Sequence, residues 1–175
     1  MKQCAGPTAG PARRLREVLT IMADEKPLVG IILGSKSDLP AMDGCKEMLE
    51  KFGVPYELVI HSAHRNPDDV RAWATSAEER GIKVIIAGAG KAAALGGVVA
   101  SFTPLPVVAI PMKTSDLGGM DSLLSTVQMP TGVPLATVAI NGTKNAAILA
   151  TQILGVALPE YRKAIVDYKK ELAEG

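Results

Sequence analysis

The chain has only two histidines, His61 and His64, and both lie in the stretch His61-Ser62-Ala63-His64-Arg65-Asn66-Pro67. Histidine exchanges protons near neutral pH, and His64 stands directly before Arg65, a fixed cation suited to gripping an anion. The pair reads as a proton shuttle beside an anion clamp, whereas His61 reads as a strand residue serving packing. A second cluster is Gly34-Ser35-Lys36-Ser37-Asp38. Gly34 with the hydroxyls of Ser35 and Ser37, placed before a helix, would expose backbone N–H groups to a phosphate. Asp38 would repel phosphate, so it is suited either to accept hydrogen bonds from a sugar hydroxyl or to cap the helix. A third stretch, Ala87-Gly88-Ala89-Gly90-Lys91-Ala92-Ala93, fits the spacing G-x-G-x-x-A. A dinucleotide fingerprint would sit on the first strand of its unit, with an acid near the end of the next. Here the next strand ends at Pro111-Met112 and Asp116 lies beyond it, so close backbone approach to another ligand is the better reading. A fourth stretch, Ser122 to Pro130, is dotted with polar residues and could close over a ligand.

These residues need a scaffold, and the apolar pattern predicts one. Short apolar runs at 28–33, 56–60, 84–87, 107–110 and 135–140 read as strands. Between them lie helical spacings at 40–52, 67–80, 92–101, 115–127 and 145–154, with a last amphipathic helix at 159–172. Gly53 and Gly81 stand where helices stop, and Pro67 where one starts. Continuous apolar strands alternating with helices imply a parallel sheet covered on both faces, a flavodoxin-like three-layer α/β sandwich with a C-terminal helix. In such a sheet, function gathers at the carboxyl ends of the strands, where the four stretches fall.

Length and composition narrow the class. At 175 residues the chain suits one catalytic domain, expected over 27–175. Residues 1–26 read as an N-terminal extension, disordered or arising from a start assigned too early, since Met22 would also serve. A net charge of +1 argues against a dedicated nucleic-acid binder. The uncharged windows Ala92–Met112 and Ser122–Thr143 are too broken by Pro and Gly, or by Pro and polar residues, to span a membrane. Cys4 and Cys45 form no CxxC pair and no metal ligand set is visible, which suits a reducing cytoplasm. The helices at 92–101 and 145–154 carry no charged side chain, and a solvent-facing helix should show a charged face. Both are therefore expected to be covered by another subunit of an obligate oligomer.

The order GSKSD, SAHR-N-P, AGAGKAAALGG, SLLSTVQMPTGVP and ATVAIN…KNAAILA resembles the N5-carboxyaminoimidazole ribonucleotide mutases of purine biosynthesis, collinearly over about 145 residues from Leu28 to Leu172. The resemblance implies a homo-octamer and a reaction without metal, ATP or organic cofactor. It implies transfer of a carboxylate from the exocyclic nitrogen of an imidazole ribonucleotide to C4, through CO2 trapped beside aminoimidazole ribonucleotide. It puts the proton shuttle on His64 and ribonucleotide binding on Ser35, Asp38 and Arg65, with Ser62 in the same pocket. Gly34, Ser37, Gly90, Lys91 and Leu95 complete the expected substrate-binding set.

The third loop departs from the family. Where mutases read G-G-A-A-H-L-P-G, this chain reads Gly90-Lys91-Ala92-Ala93-Ala94-Leu95-Gly96-Gly97. Ala94 replaces a histidine, Gly96 a proline and Lys91 a glycine. Related carboxylases that use free CO2 resemble G-R-S-N-x-L-S-G there, with arginine at the position of Lys91. A lysine buried near a carboxylate or CO2 would have a shifted pKa and an electrostatic role; the plainer alternative is a surface lysine at a helix start. The alternatives to the mutase are thus a carboxylase using free CO2 and a paralogue acting on another heterocyclic ribonucleotide. From a different class stands a non-catalytic nucleotide-binding module, which would need the phosphate loop but not His64.

Overall fold

The computed structural model describes residues 19–21 and 26–175. Its strands are β1 (Leu19–Ile21), β2 (Val29–Leu33), β3 (Tyr56–Ile60), β4 (Val84–Ala89), β5 (Val107–Pro111) and β6 (Ala136–Thr137). Its α-helices are α1 (Asp43–Lys51), α2 (Pro67–Thr75), α3 (Leu95–Ala100), α4 (Met120–Val127), α5 (Thr143–Leu154) and α6 (Pro159–Glu174). The strands form one sheet in the order β1-β3-β2-β4-β5-β6, parallel except for β1 against β3. The parallel part has the flavodoxin order, with its reversal between β2 and β4. That reversal opens a crevice at the carboxyl ends of these two strands.

Side-chain alternation divides the core in two. Val29, Ile31 and Leu33 of β2 pack with Met42 before α1, with Cys45 and Leu49 of α1, with Ala146, Ala147 and Ala150 of α5, and with Tyr161 of α6. Ile32 faces the other way, toward Trp73 and Ala74 of α2 and Leu95 and Val99 of α3. Gly30 must be small on that face, because a Cβ there would come within 2.9 Å of both Trp73 and Ile82. Burial pushes the Cys45 thiol up to about 12, so it serves as a small apolar filler.

Several boundaries differ from the sequence reading. The helix expected over 40–52 divides into a 3-10 segment, Lys36–Met42, and α1, with Pro40 inside the tighter part. Gly53, at φ 65°, ends this unit through bonds from its own N–H to Glu50 and from Val54 N–H to Leu49. α2 ends at Thr75 rather than Arg80, and hydrogen-bonded turns lead on to Gly81 at φ 104°. β6 is two residues long, although Val138 and Asn141 N–H still bond to Ala109 and Pro111 of β5. Leu19–Ile21, within the stretch read as an extension, forms a strand against β3; the expectation for residues 1–18 and 22–25 lies outside the described residues.

The uncharged 145–154 segment has an explanation within the chain. α5 lies between α1 and α6 and over β4 and β5, burying Ala146, Ala147, Ala150, Thr151 and Leu154. Packing within the chain thus accounts for one side of the helix, while Ile148, Leu149 and Ile153 remain only partly buried. Exposed apolar side chains gather on α4 and just before it, at Leu117, Met120, Leu124 and Val127, with others at Val156, Val166 and Leu172. No helix among the described residues is long and apolar enough to cross a membrane.

Candidate active site

β2 delivers the first wall of the crevice. Gly34 N–H still bonds to Gly88 O at 3.0 Å, after which Ser35 turns the chain into the 3-10 segment. Ser35 Oγ accepts from Ser37 N–H at 3.3 Å and from the Ser37 hydroxyl at 2.8 Å. Ser35 is the cap, and the Asp38 carboxylate bonds back to the Ser35 backbone and to Ser37 while also lining the cavity, so Asp38 both caps the segment and faces the ligand space. Burial holds the Asp38 carboxyl above the usual carboxylate range, offset in part by bonding to Ser37 and by the Arg65 charge.

β3 delivers the second wall, and Asn66 fixes its shape. Asn66 Oδ1 accepts from Ser62 N–H at 2.6 Å, and its N–H bonds to Ser62 O at 3.0 Å. The Asn66 amide then presents its nitrogen to Asp69 Oδ2 at 3.1 Å and to His61 Nδ1 at 3.2 Å. An amide N–H facing Nδ1 requires the neutral tautomer protonated on Nε2. Burial agrees, pulling the His61 pKa below 6.5 against the opposing charge of Asp69. His61 is thus a buried structural residue, while the loop it anchors carries His64 and Arg65 outward to the cavity. Arg65 N–H bonds to Ser62 Oγ at 3.3 Å, and its guanidinium donates to Gly34 O at 2.7 Å, tying the second wall to the first.

β4 delivers the third wall. Gly88 is not a turn residue but lies inside the strand, where a Cβ would meet Leu33 at 2.8 Å. The first glycine of the G-x-G spacing is thereby used in packing, and no dinucleotide loop forms. Gly90 is equally tight, with Thr114 Cγ2 2.8 Å from where its Cβ would be. Lys91 follows at φ 57° and pairs with Asp116, so it is exposed rather than buried. Hydrogen bonding and the charge of Asp116 raise the Lys91 pKa.

A cavity of about 600 Å³ lies between these walls. It gathers every site residue expected from the sequence: Gly34, Ser35, Ser37 and Asp38; Ser62, His64 and Arg65; Gly90, Lys91 and Leu95. Thr114, from the loop after β5, also lines it and was missed; its Oγ1 is buried without a hydrogen-bond partner. The fourth stretch does not reach the cavity. Within α4, Ser122 Oγ donates to Met112 O and Gly119 O, and Thr126 Oγ1 to Ser122 O, so these hydroxyls serve the backbone. Among the described residues no group of three or more His, Cys, Asp or Glu could hold a metal ion.

The geometry offers a proton carrier, two cations and a carboxylate around a space the size of a small polar ligand. Fold and crevice together define a flavodoxin-type α/β protein with a ligand site at its topological switch point. The chain belongs to the AIR carboxylase family, which it matches over residues 28–175. It is 60% identical over 146 residues to the N5-carboxyaminoimidazole ribonucleotide mutase of Thermotoga maritima, covering 83% of this chain and 85% of that one. It is also 60% identical over 137 residues to the phosphoribosylaminoimidazole carboxylase of Saccharomyces cerevisiae, covering 78% of this chain and 24% of that longer protein. Among solved structures it resembles PurE of Treponema denticola, with a TM-score of 0.77 and 31% identity over 85% of this chain and 92% of that one.

Proposed function

We propose that this protein is an N5-carboxyaminoimidazole ribonucleotide mutase, an isomerase of de novo purine biosynthesis. It moves the carboxylate from the exocyclic nitrogen to C4 of the imidazole. The observation that carries the reading is the placement of His64 and Arg65 on one rigid loop facing the Ser35–Asp38 wall across a single cavity. A binding module needs the anion-holding wall; only a catalyst needs the proton carrier beside it.

The residues divide the work. The Ser35 hydroxyl, which accepts from Ser37 and keeps its own O–H to donate, holds the phosphate end together with Arg65, Gly34 and Ser37 line that end, and Asp38 accepts from ribose hydroxyls. Ser62 Oγ already accepts from Arg65 N–H, so its own O–H is free to donate into the cavity. The N–CO2 bond breaks as a proton reaches the exocyclic nitrogen. C4 of the resulting aminoimidazole then attacks the trapped CO2, and the C4 proton leaves, with His64 carrying the proton. Leu95 and the alanines of the third wall keep water from the CO2, which would otherwise be lost as bicarbonate. The reaction is balanced without oxidant, metal or nucleotide triphosphate. The proposal extends to a homo-octamer in the cytoplasm, supported by the exposed apolar side chains on α4.

A second reading, carboxylation of aminoimidazole ribonucleotide by free CO2, is favoured by Lys91, Ala94 and Gly96 in the third loop. The deciding experiment follows turnover of N5-carboxyaminoimidazole ribonucleotide in parallel with aminoimidazole ribonucleotide plus bicarbonate. Preferential use of the carbamate is expected; activity only with free CO2 would transfer the protein to the carboxylase reading, and silence on both would refute each.

A further inference from the structure

Lys91 and Asn141 are the two non-glycine residues with left-handed backbone among those described. Such a backbone penalises an L-residue, whereas glycine adopts it freely. The Lys91 side chain pairs with Asp116 on the loop after β5, Nζ to Oδ2 at 2.5 Å, with 71% and 53% of the two side chains exposed. A pair so open to water returns little stability. Stability therefore does not account for lysine at this position, and strain at a cavity wall points to use.

Charge placement indicates the use. Arg65 and Lys91 are the two Lys or Arg side chains lining the cavity, and they stand on different walls. Arg65 is fixed against the first wall through Gly34 O. Lys91 stands on the third wall, and its partner Asp116 lies outside the cavity lining. A ribonucleotide bearing a carboxylate has two anionic ends, and a cation is available at each side. We propose that Lys91 is the counter-ion of the substrate's carboxylate and that Asp116 is its resident surrogate, holding the ammonium at the rim until the ligand takes it. The inference rests on the ribonucleotide reading of the site and goes beyond it by assigning the carboxylate end. The exchange swaps one carboxylate for another around an ammonium that stays charged, so it needs no proton transfer.

The test is calorimetric titration with two ligands sharing phosphate and ribose, 4-carboxy-5-aminoimidazole ribonucleotide and 5-aminoimidazole ribonucleotide. Lys91→Met and Lys91→Gly should each weaken the carboxylated ligand about tenfold or more while leaving the other nearly unchanged. Asp116→Asn should tighten the carboxylated ligand, because its competitor is gone. Lys91→Gly should melt no lower than the parent, which excludes loss of fold as the cause. Equal weakening of both ligands would overturn the inference by placing Lys91 on the shared phosphate; so would no weakening. Asp116→Asn that weakens the carboxylated ligand as Lys91→Met does would also overturn it, making the pair a fixed platform. A parent protein that binds neither ligand would sink the ribonucleotide reading itself, whereas binding of both confines any failure to Lys91.

Discussion

At the scale of residues, His64 carries the sharpest prediction. His64→Asn should lower kcat by roughly 10²-fold or more while ribonucleotide affinity stays near that of the parent, read by single-turnover kinetics and titration. Asp38 supplies a pH dependence. Its carboxyl ionises above the ordinary 3.8, so KM should rise as pH falls through that raised value, and Asp38→Asn should flatten the profile. His61 acts on stability with a definite sign. A histidine kept neutral by the fold binds fewer protons than the same group unfolded, so above 6.5 it adds no pH dependence. Stability should then decline as pH falls below 6.5 toward the depressed folded value, and urea midpoints of His61→Leu should show a shallower decline. The sequence made Ser35, Asp38, His64 and Arg65 legible because their chemistry is local to a strand end. Asn66 and Thr114 were not legible as site-forming residues. Asn66 acts through neighbours in its own stretch, Ser62, His61 and Asp69, whose turn geometry residue types do not reveal, while Thr114 meets Gly90 only through folding.

At the scale of elements, strand cores were readable because burial on both faces leaves an unbroken apolar run, as in Val29–Leu33. Ends were less so. Pro40 permits a 3-10 segment that helical spacing cannot distinguish from α-helix, and β6 ends early although its residues remain apolar. Two substitutions measure what holds the elements. Gly53→Ala meets no atom within 4 Å, so its cost is backbone strain alone, about 1 kcal/mol by chemical denaturation. Glu57, buried in β3, accepts from Trp73 Nε1 at 2.7 Å and from Arg80 at 2.9 Å, joining α2 and the turns after it to the sheet. Glu57→Ala leaves both donors without their acceptor and should cost roughly 3 kcal/mol, with the activity of the folded fraction retained.

At the scale of the whole molecule, the flavodoxin order was accessible from alternation of strand and helix, whereas the exposed apolar residues were not. Absence of charge pointed to the segments 92–101 and 145–154, which the chain buries in part, while the more exposed residues Leu117, Met120, Leu124 and Val127 stand on and beside α4. Leu124→Glu should shift sedimentation toward smaller species if this face joins copies; an unchanged profile would move the contact elsewhere.

The sheet's two margins bear on how such copies can meet. Among the described residues its outer strands, β1 and β6, are three and two residues long. A margin so brief offers few unpaired N–H and C=O groups along which a neighbouring chain could extend the ladder. Growth by strand addition, the route to open fibres, is thus poorly templated along β6, and any meeting of copies there would be left to side-chain surfaces. Resistance to fibrillation along that margin would then originate in the shortness of a strand rather than in any charge placed on it.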